Sequence, residues 1–205
     1  AAAVALEAVG GSFALKGLSS LGGGSGDTPK ELLVVSDGSV FGVNLKKPDE
    51  KPVEYTDSFY ESDEDDMGDV FRISFPTVSG KYRFIPEDYN PGDGTYTLCY
   101  QTGKEELEKI ASGVQGYYVT GDHKVVYVKN NNLYVCEPGE KEEKVDSDLK
   151  VSRLVPDGRM LDSDMSGVWV SQDGKNLLWA VNTGDEDSAD FYCQDIELKG
   201  EKVKL

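Results

Sequence analysis

Acidic side chains are the most prominent candidates for chemistry in this sequence. They are concentrated in four segments, 57–69, 87–94, 146–164 and 183–190. These segments contain 19 of the 38 acidic residues but only three of the 21 basic ones. Carboxylates at this density attract cationic partners. The partner-binding residues that we predict are Asp63, Glu64, Asp65, Asp66, Tyr89, Asp93, Asp162, Asp164, Asp185, Asp187 and Asp190.

Calcium binding is the alternative chemistry of clustered aspartates, because Ca²⁺ takes hard oxygen ligands. No segment has the EF-hand pattern, in which Gly stands at position six of the loop and Glu at position twelve. We therefore expect no cofactor and no discrete metal site, and at most weak calcium binding by Asp185, Asp187 or Asp190. Docking of a cationic protein or polymer and simple solvation of the loops remain the two open interpretations.

Nucleophilic and zinc chemistry find little support in the sequence. His123 is the only histidine and lies in a Gly-Asp-His-Lys turn between two apolar runs, so we expect a solvated turn residue rather than a catalytic base. The three cysteines form no CxxC pair, which argues against a Cys/His zinc site. No nucleophile elbow, HExxH motif or P-loop occurs.

Charge and hydropathy argue against two further classes of protein. The chain of 205 residues carries a net charge of -17, and a nucleic acid repels such a surface. No run of about 18 residues is free of charges and helix breakers, so we expect no integral membrane span. Segment 1–30 is apolar and ends in a Gly-rich tract. It is either a terminal strand or helix packed on the domain, or the remnant of a membrane anchor.

The elements that must position the acidic segments are β-strands. Apolar and polar residues alternate along most of the chain, and no convincing helix occurs beyond the N-terminal stretch. The alternation predicts four hairpins, 32–35 with 40–45, 82–85 with 96–100, 125–128 with 133–136, and 177–181 with 191–196. Turns are expected at Asp37-Gly38 and at 130–132, with Val125, Tyr127, Leu133 and Val135 on buried faces.

The strands repeat in units of about 40 to 50 residues, which is typical of β-propeller blades. Three hairpins have similar second strands, each followed by a Gly-containing turn and a Lys/Glu-rich strand. Their sequences are TYTLCYQTGKEELEKI, NLYVCEPGEKEEKV and DFYCQDIELKGEKVKL. In the last unit, the inner strand is followed by the turn Ser171-Gln172-Asp173-Gly174-Lys175. A strand with an aromatic-Tyr pair and then a Gly-Glu turn come after it. With these features the unit resembles a TolB-like (WD40-like) blade. This resemblance covers about 32–205 and implies a propeller of the bacterial envelope type, but almost nothing about activity.

We therefore predict an all-β fold, a propeller with about four blades of four antiparallel strands. The expected blades are about 10–57, 67–112, 113–150 and 165–205. Similar segments at Asp66-Met67 and Asp164-Met165 indicate a duplicated pair of blades. Because a usual TolB-like ring has about six to eight blades, the chain is a compact four-bladed ring, a fragment, or part of a ring completed by an oligomer.

The same blade order places the cysteines, the aromatic residues and the acidic segments. Cys99 and Cys136 take equivalent positions in neighbouring blades, too far apart for a disulfide, so we expect three free thiols with Cys193. Phe59, Tyr60 and Tyr89 lie in acidic segments and either form contact patches or fold back on the domain. Trp169 and Trp179 are expected in the core. All four acidic segments are predicted on one face of the propeller.

Two functions from different classes fit these patterns. The first is a non-enzymatic binding or scaffold propeller of the cell envelope, whose acidic face docks a cationic protein or polymer. The second is a propeller domain of a hydrolase or lyase whose catalytic residues lie in a central channel or in another domain. An extracytoplasmic location, with anchoring through residues upstream, and self-association are further expectations.

Overall fold

The computed structural model describes residues 30–59, 76–103, 105–151, 154–155, 167–171, 173–185 and 188–205. Every regular element in these residues is a β-strand, as the sequence predicts. The chain divides into two compact units, of which unit 1 ends at Ile110 and unit 2 begins at Ala111.

Unit 1 contains two antiparallel groups of strands. The first has the order β1-β2-β3, and its strands are β1 (Glu31–Ser36), β2 (Ser39–Asn44) and β3 (Val53–Thr56). The second has the order β4-β5-β6, with β4 (Thr77–Ser79), β5 (Tyr82–Asn90) and β6 (Thr95–Thr102). Strand β7 (Glu108–Val119) begins in unit 1 and continues into unit 2.

Unit 2 contains the later part of β7, which pairs with the next three strands in the order β7-β8-β9-β10. These are β8 (Val125–Lys129), β9 (Asn132–Cys136) and β10 (Glu143–Asp146). A five-stranded sheet follows in the order β11-β12-β13-β14-β15. Its strands are β11 (Leu154–Val155), β12 (Val168–Val170), β13 (Asn176–Asn182), β14 (Ala189–Asp195) and β15 (Val203–Lys204).

The two predicted tight turns are confirmed. Asp37 and Gly38 have φ angles of 50° and 76°, and Asn130 and Asn131 have φ angles of 51° and 57°. Two successive positive φ angles are typical of the type I′ turn, whose twist matches that of the flanking strands. Asp, Asn and Gly tolerate this left-handed conformation best, which is why these turns could be read from the sequence.

The predicted buried hairpin is also confirmed. Val125, Tyr127 and Leu133 are fully buried, and Val135 is almost so. Val126 and Val128 are buried as well, so β8 is covered on both faces. Such a continuously apolar strand belongs to the interior of a layered structure rather than to a sheet with one solvated face.

The described residues do not confirm a ring of four four-stranded blades. Glu108–Val119 forms one long strand where we expected the end of one blade and the start of the next. Gly113 has a φ angle of 71°, and the pairing with β8 shifts register between Val114 and Gly116. A bulge of this kind bends a strand without ending it, and the sequence pattern does not reveal it.

Two further expectations need correction. Segment 87–94 is not a long loop, because β5 extends to Asn90 and only residues 91–94 form the turn. The five-stranded sheet is not wholly antiparallel, because β11 pairs parallel to β12, Leu154 with Val168. The predicted segment 1–30 lies outside the described residues except for Lys30.

Each unit has its own apolar core. In unit 1, Val40, Phe59 and Ile85 are buried together, and Leu33 and Val35 pack against them. In unit 2, the core includes apolar residues of β8, β9, β12 and β13, among them the fully buried Trp179. Trp169, which we also expected in the core, is only partly buried. Among the described residues there is no helix long and apolar enough to cross a membrane.

Candidate functional site

The structure describes four of the eleven predicted binding residues. Tyr89, Asp93, Asp185 and Asp190 belong to the described residues. The remaining predicted residues lie outside them: Asp63, Glu64, Asp65, Asp66, Asp162, Asp164 and Asp187. The same holds for the loop aromatic residue Tyr60.

In unit 1, Glu87 and Asp93, two of the three described acidic residues of segment 87–94, serve local structure. Asp93 lies in the β5–β6 turn, where its carboxylate accepts hydrogen bonds from the backbone N–H of Thr95 at 3.1 Å and from the Thr95 hydroxyl at 2.6 Å. Glu87 lies in β5 and accepts hydrogen bonds from the Thr56 hydroxyl at 2.5 Å and from the Cys99 thiol at 3.4 Å. These carboxylates hold the fold in place.

Phe59 and Tyr89, the two other aromatic residues of the predicted acidic segments, are buried and partly buried, respectively. Phe59 is in the core, and its backbone N–H donates to the carbonyl of Gly38 at 2.8 Å. Phe59 therefore folds back on the domain and does not form an exposed contact patch. Tyr89 lies in β5 and is partly buried.

In unit 2, three acidic or polar segments meet at one edge. The backbone N–H of Leu149 donates to the carbonyl of Asn131 in the β8–β9 turn at 2.9 Å. The N–H of Asn182 at the end of β13 donates to the carbonyl of Asp148 at 2.8 Å. Backbone hydrogen bonds thus fix the chain after β10 against the ends of both neighbouring hairpins.

A lysine side chain completes this arrangement. Lys150 extends its ammonium group to the carbonyl oxygen of Asp185 in the β13–β14 loop, at 2.9 Å. Asp148 and Asp185 both expose their side chains to solvent. We call Asp148, Lys150 and Asp185 the acidic edge of unit 2, because two exposed carboxyl groups are held there by anchored backbone.

Asp190 is placed differently from Asp185. It lies in β14, and its carboxylate forms an ion pair with Lys204 of β15 at 2.6 Å. The hydrogen bond to Asp190 raises the pKa of the Lys204 ammonium. Its charge is therefore partly compensated within the sheet.

Asp146 lies at the end of β10, and its carboxylate contacts two side chains from later strands of unit 2 and their connections. Its Oδ2 atom accepts a hydrogen bond from Trp179 Nε1 at 2.5 Å and an ion-pair contact from Lys202 at 2.6 Å. Burial disfavours the charged form, but the bonds from Lys202 and Trp179 outweigh it and lower the pKa of Asp146. We call this contact the Asp146 clamp, because it ties β10 to the sheet that contains β13.

The aromatic side of the clamp is a cross-strand pair. Trp179 of β13 stands opposite Tyr192 of β14, with ring centroids 6.1 Å apart and stacked. The ammonium of Lys202 lies 4.1 Å from the centroid of the Tyr192 ring. Stacking, a cation–π contact and an ion pair thus meet in one cluster.

A second cluster repeats this combination in the preceding hairpin. Tyr127 of β8 stands opposite Tyr134 of β9, with stacked rings 5.3 Å apart. Lys129 lies 4.8 Å from the Tyr134 ring and 3.0 Å from Glu142, which also accepts the Tyr127 hydroxyl. Glu142 is therefore a structural residue, which the charge pattern of its segment does not reveal.

The opposite end of unit 2 is held by one lysine between two acids. Lys124, in the β7–β8 turn, lies 3.3 Å from Glu137 and 3.2 Å from Glu197. Burial opposes its charge, but Glu197 and Glu137 raise the pKa of the ammonium. The nearby His123 lies in the same turn at a φ angle of 74°, as expected for a turn residue.

A comparable cluster in unit 1, which we call the first-sheet cluster, joins Glu31 and Tyr55 of the first sheet to Arg83 of β5. Arg83 pairs with Glu31 at 2.6 Å and stacks over the ring of Tyr55, whose hydroxyl also donates to Glu31. A Cβ at Gly42 would clash with Glu31 and approach the Tyr55 ring to 2.5 Å. A side chain at position 42 would therefore displace members of the first-sheet cluster.

The three cysteines are unpaired, as predicted. Burial, followed by Glu87, raises the pKa of the Cys99 thiol to about 12. Burial also raises the pKa of the Cys136 thiol to about 11. Thiols of this kind hold almost no thiolate at neutral pH and are poor nucleophiles.

Within the part of the chain that the structure describes, no three His, Cys, Asp or Glu side chains are grouped as a metal site would require. Asp187, one of the three candidate ligands for weak calcium binding, lies outside that part. The expectation of no discrete calcium site, with at most weak binding, thus stays a prediction.

Comparison with known proteins gives matches only at the level of structure. No protein family and no curated protein matches the sequence. TolB from Acinetobacter baumannii matches with a TM-score of 0.45 and 14% identity, over 86% of this chain and 40% of TolB. PorZ, a bacterial surface component of the type-IX secretion system of Porphyromonas gingivalis, matches with a TM-score of 0.44 and 15% identity, over 85% and 19%.

A third match is the β-propeller domain of the Trilobed protease from Pyrococcus furiosus, with a TM-score of 0.37 and 14% identity, over 64% of this chain and 42% of that one. This chain therefore spans less than half the length of each of these structures. We base no conclusion about activity on likenesses this distant. The structures that this chain is similar to include TolB and a β-propeller domain, and the TolB-like resemblance itself rests on the sequence of the last predicted blade.

Proposed function

We propose that this chain is a non-enzymatic binding domain that docks a cationic protein or polymer through its acidic loops, in an extracytoplasmic location at the cell envelope. The envelope location rests on the TolB-like resemblance of the last predicted blade, 165–205. The hydrolase or lyase alternative and self-association remain predictions from the sequence.

The acidic edge of unit 2 is the observation that supports this proposal. Asp148 and Asp185 are exposed, while the backbone of both segments is fixed by hydrogen bonds to neighbouring strands. A surface that is already ordered loses little conformational entropy on binding. The edge is therefore suited to present carboxylates to a partner at a fixed spacing.

The net charge supports the same interpretation. A chain with a charge of -17 has a negative field that increases the encounter rate with cations. This field decays over a Debye length of about 8 Å at physiological salt. Binding should thus be strong at low salt and weaken as salt is added.

Two matched pairs of substitutions test the proposal at unit 2. The test variant is Asp148→Asn with Asp185→Asn, and Asn suits the φ angle of 57° at position 148. The control is Glu140→Gln with Glu201→Gln, which removes the same charge from exposed positions in the β9–β10 and β14–β15 connections.

Binding of a fluorescent lysine decapeptide is measured by anisotropy at low and at physiological salt. Two charges acting at about 10 Å through water contribute about 0.8 kcal/mol, so the test variant should bind about fourfold more weakly at low salt. The control should change binding less than the test variant does. Equal losses in both variants would contradict a role for the acidic edge and leave only a general charge effect.

A further inference from the structure

We draw no further inference here: the strongest candidate, the partly exposed apolar patch of Trp169, Leu178, Phe191 and Val203 on the side of the five-stranded sheet away from the unit 2 core, carries nothing because no feature of the structure shows what covers it.

Discussion

Replacing Asp146 should lower the free energy of unfolding more than replacing any exposed acidic residue of unit 2. Its carboxylate receives the Trp179 Nε1–H and the Lys202 ammonium, and its second oxygen accepts the backbone N–H of Ser147 at 3.0 Å. The variant Asp146→Ala removes all three acceptor contacts without adding bulk. The prediction concerns the free energy of unfolding of the whole chain.

The magnitude follows from the burial of the donors. Trp179 is fully buried, so its N–H would be left without an acceptor in the core, at a cost of about 1–3 kcal/mol. The Lys202 side chain is 36% exposed and can be hydrated, so its lost ion pair adds at most about 1 kcal/mol. We expect Asp146→Ala to lower the free energy of unfolding by about 1–4 kcal/mol.

The assay is urea denaturation followed by circular dichroism. Asp146→Asn keeps an oxygen that can accept the Trp179 N–H but loses the charge, so its loss should be smaller than that of Asp146→Ala. The control is Glu143→Ala, which removes an exposed carboxylate from the same strand. If Asp146→Ala and Glu143→Ala unfolded at the same urea concentration, the clamp would contribute nothing and our reasoning would be refuted.

The pH dependence gives an independent check on the same residue. The pKa of Asp146 in the folded chain lies below its ordinary value of 3.8. Its charged form therefore stabilises the fold above about pH 4, and this contribution is lost as pH falls through the lower folded pKa. The difference in stability between the wild type and Asp146→Asn should be constant near neutral pH and shrink below pH 3.8. A difference that grew in acid would have the wrong sign.

Three further predictions concern packing, thiols and calcium. Gly42→Ala should destabilise the chain by about 1–3 kcal/mol, because its Cβ would enter the first-sheet cluster. The control Gly121→Ala, whose Cβ would meet no atom within 4 Å, should cost clearly less in the same urea assay. Thiol labelling of the unreduced protein should modify all three cysteines after denaturation, but in the native state Cys193 should react before Cys99 and Cys136; fewer than three labels after denaturation would reveal a disulfide. Millimolar Ca²⁺ should raise the melting temperature by at most a few degrees, and a larger shift that a chelator reverses would show a discrete site.

The strands and tight turns could be predicted from the sequence because their causes are local. Asp37-Gly38 and Asn130-Asn131 are residue pairs that tolerate positive φ, and the apolar runs beside them can only be buried in pairs of strands. The continuity of β7 could not be predicted, because Gly113 allows a bulge and an ended strand equally well. The parallel pairing of β11 is likewise set by tertiary contacts rather than by its two-residue pattern.

The candidate site was only partly predictable for a related reason. The composition of a segment reveals its charge, but the use of each carboxylate depends on which donors surround it. Asp190 forms an ion pair within the sheet, Asp93 closes a turn, and Asp185 lies in an exposed loop where its carbonyl binds Lys150. We predicted no individual role for Asp146. The sequence does contain a hint of the clamp, because Trp179 and Tyr192 lie on paired strands and Lys202 follows them.

The most direct test of the proposed acidic binding surface is the association rate of the lysine decapeptide as a function of salt. The test variant neutralises Asp63, Glu64, Asp65 and Asp66 with Asn or Gln. The control neutralises the same number of exposed acids, Glu106, Glu140, Glu143 and Glu201, and leaves Glu142 intact because it holds Tyr127 and Lys129.

We predict that the test variant slows association more than it speeds dissociation, that this difference fades as salt is raised, and that the control has little effect. An equal slowing by the two variants, or a rate that does not depend on salt, would contradict the claim that the acidic loops form the binding surface.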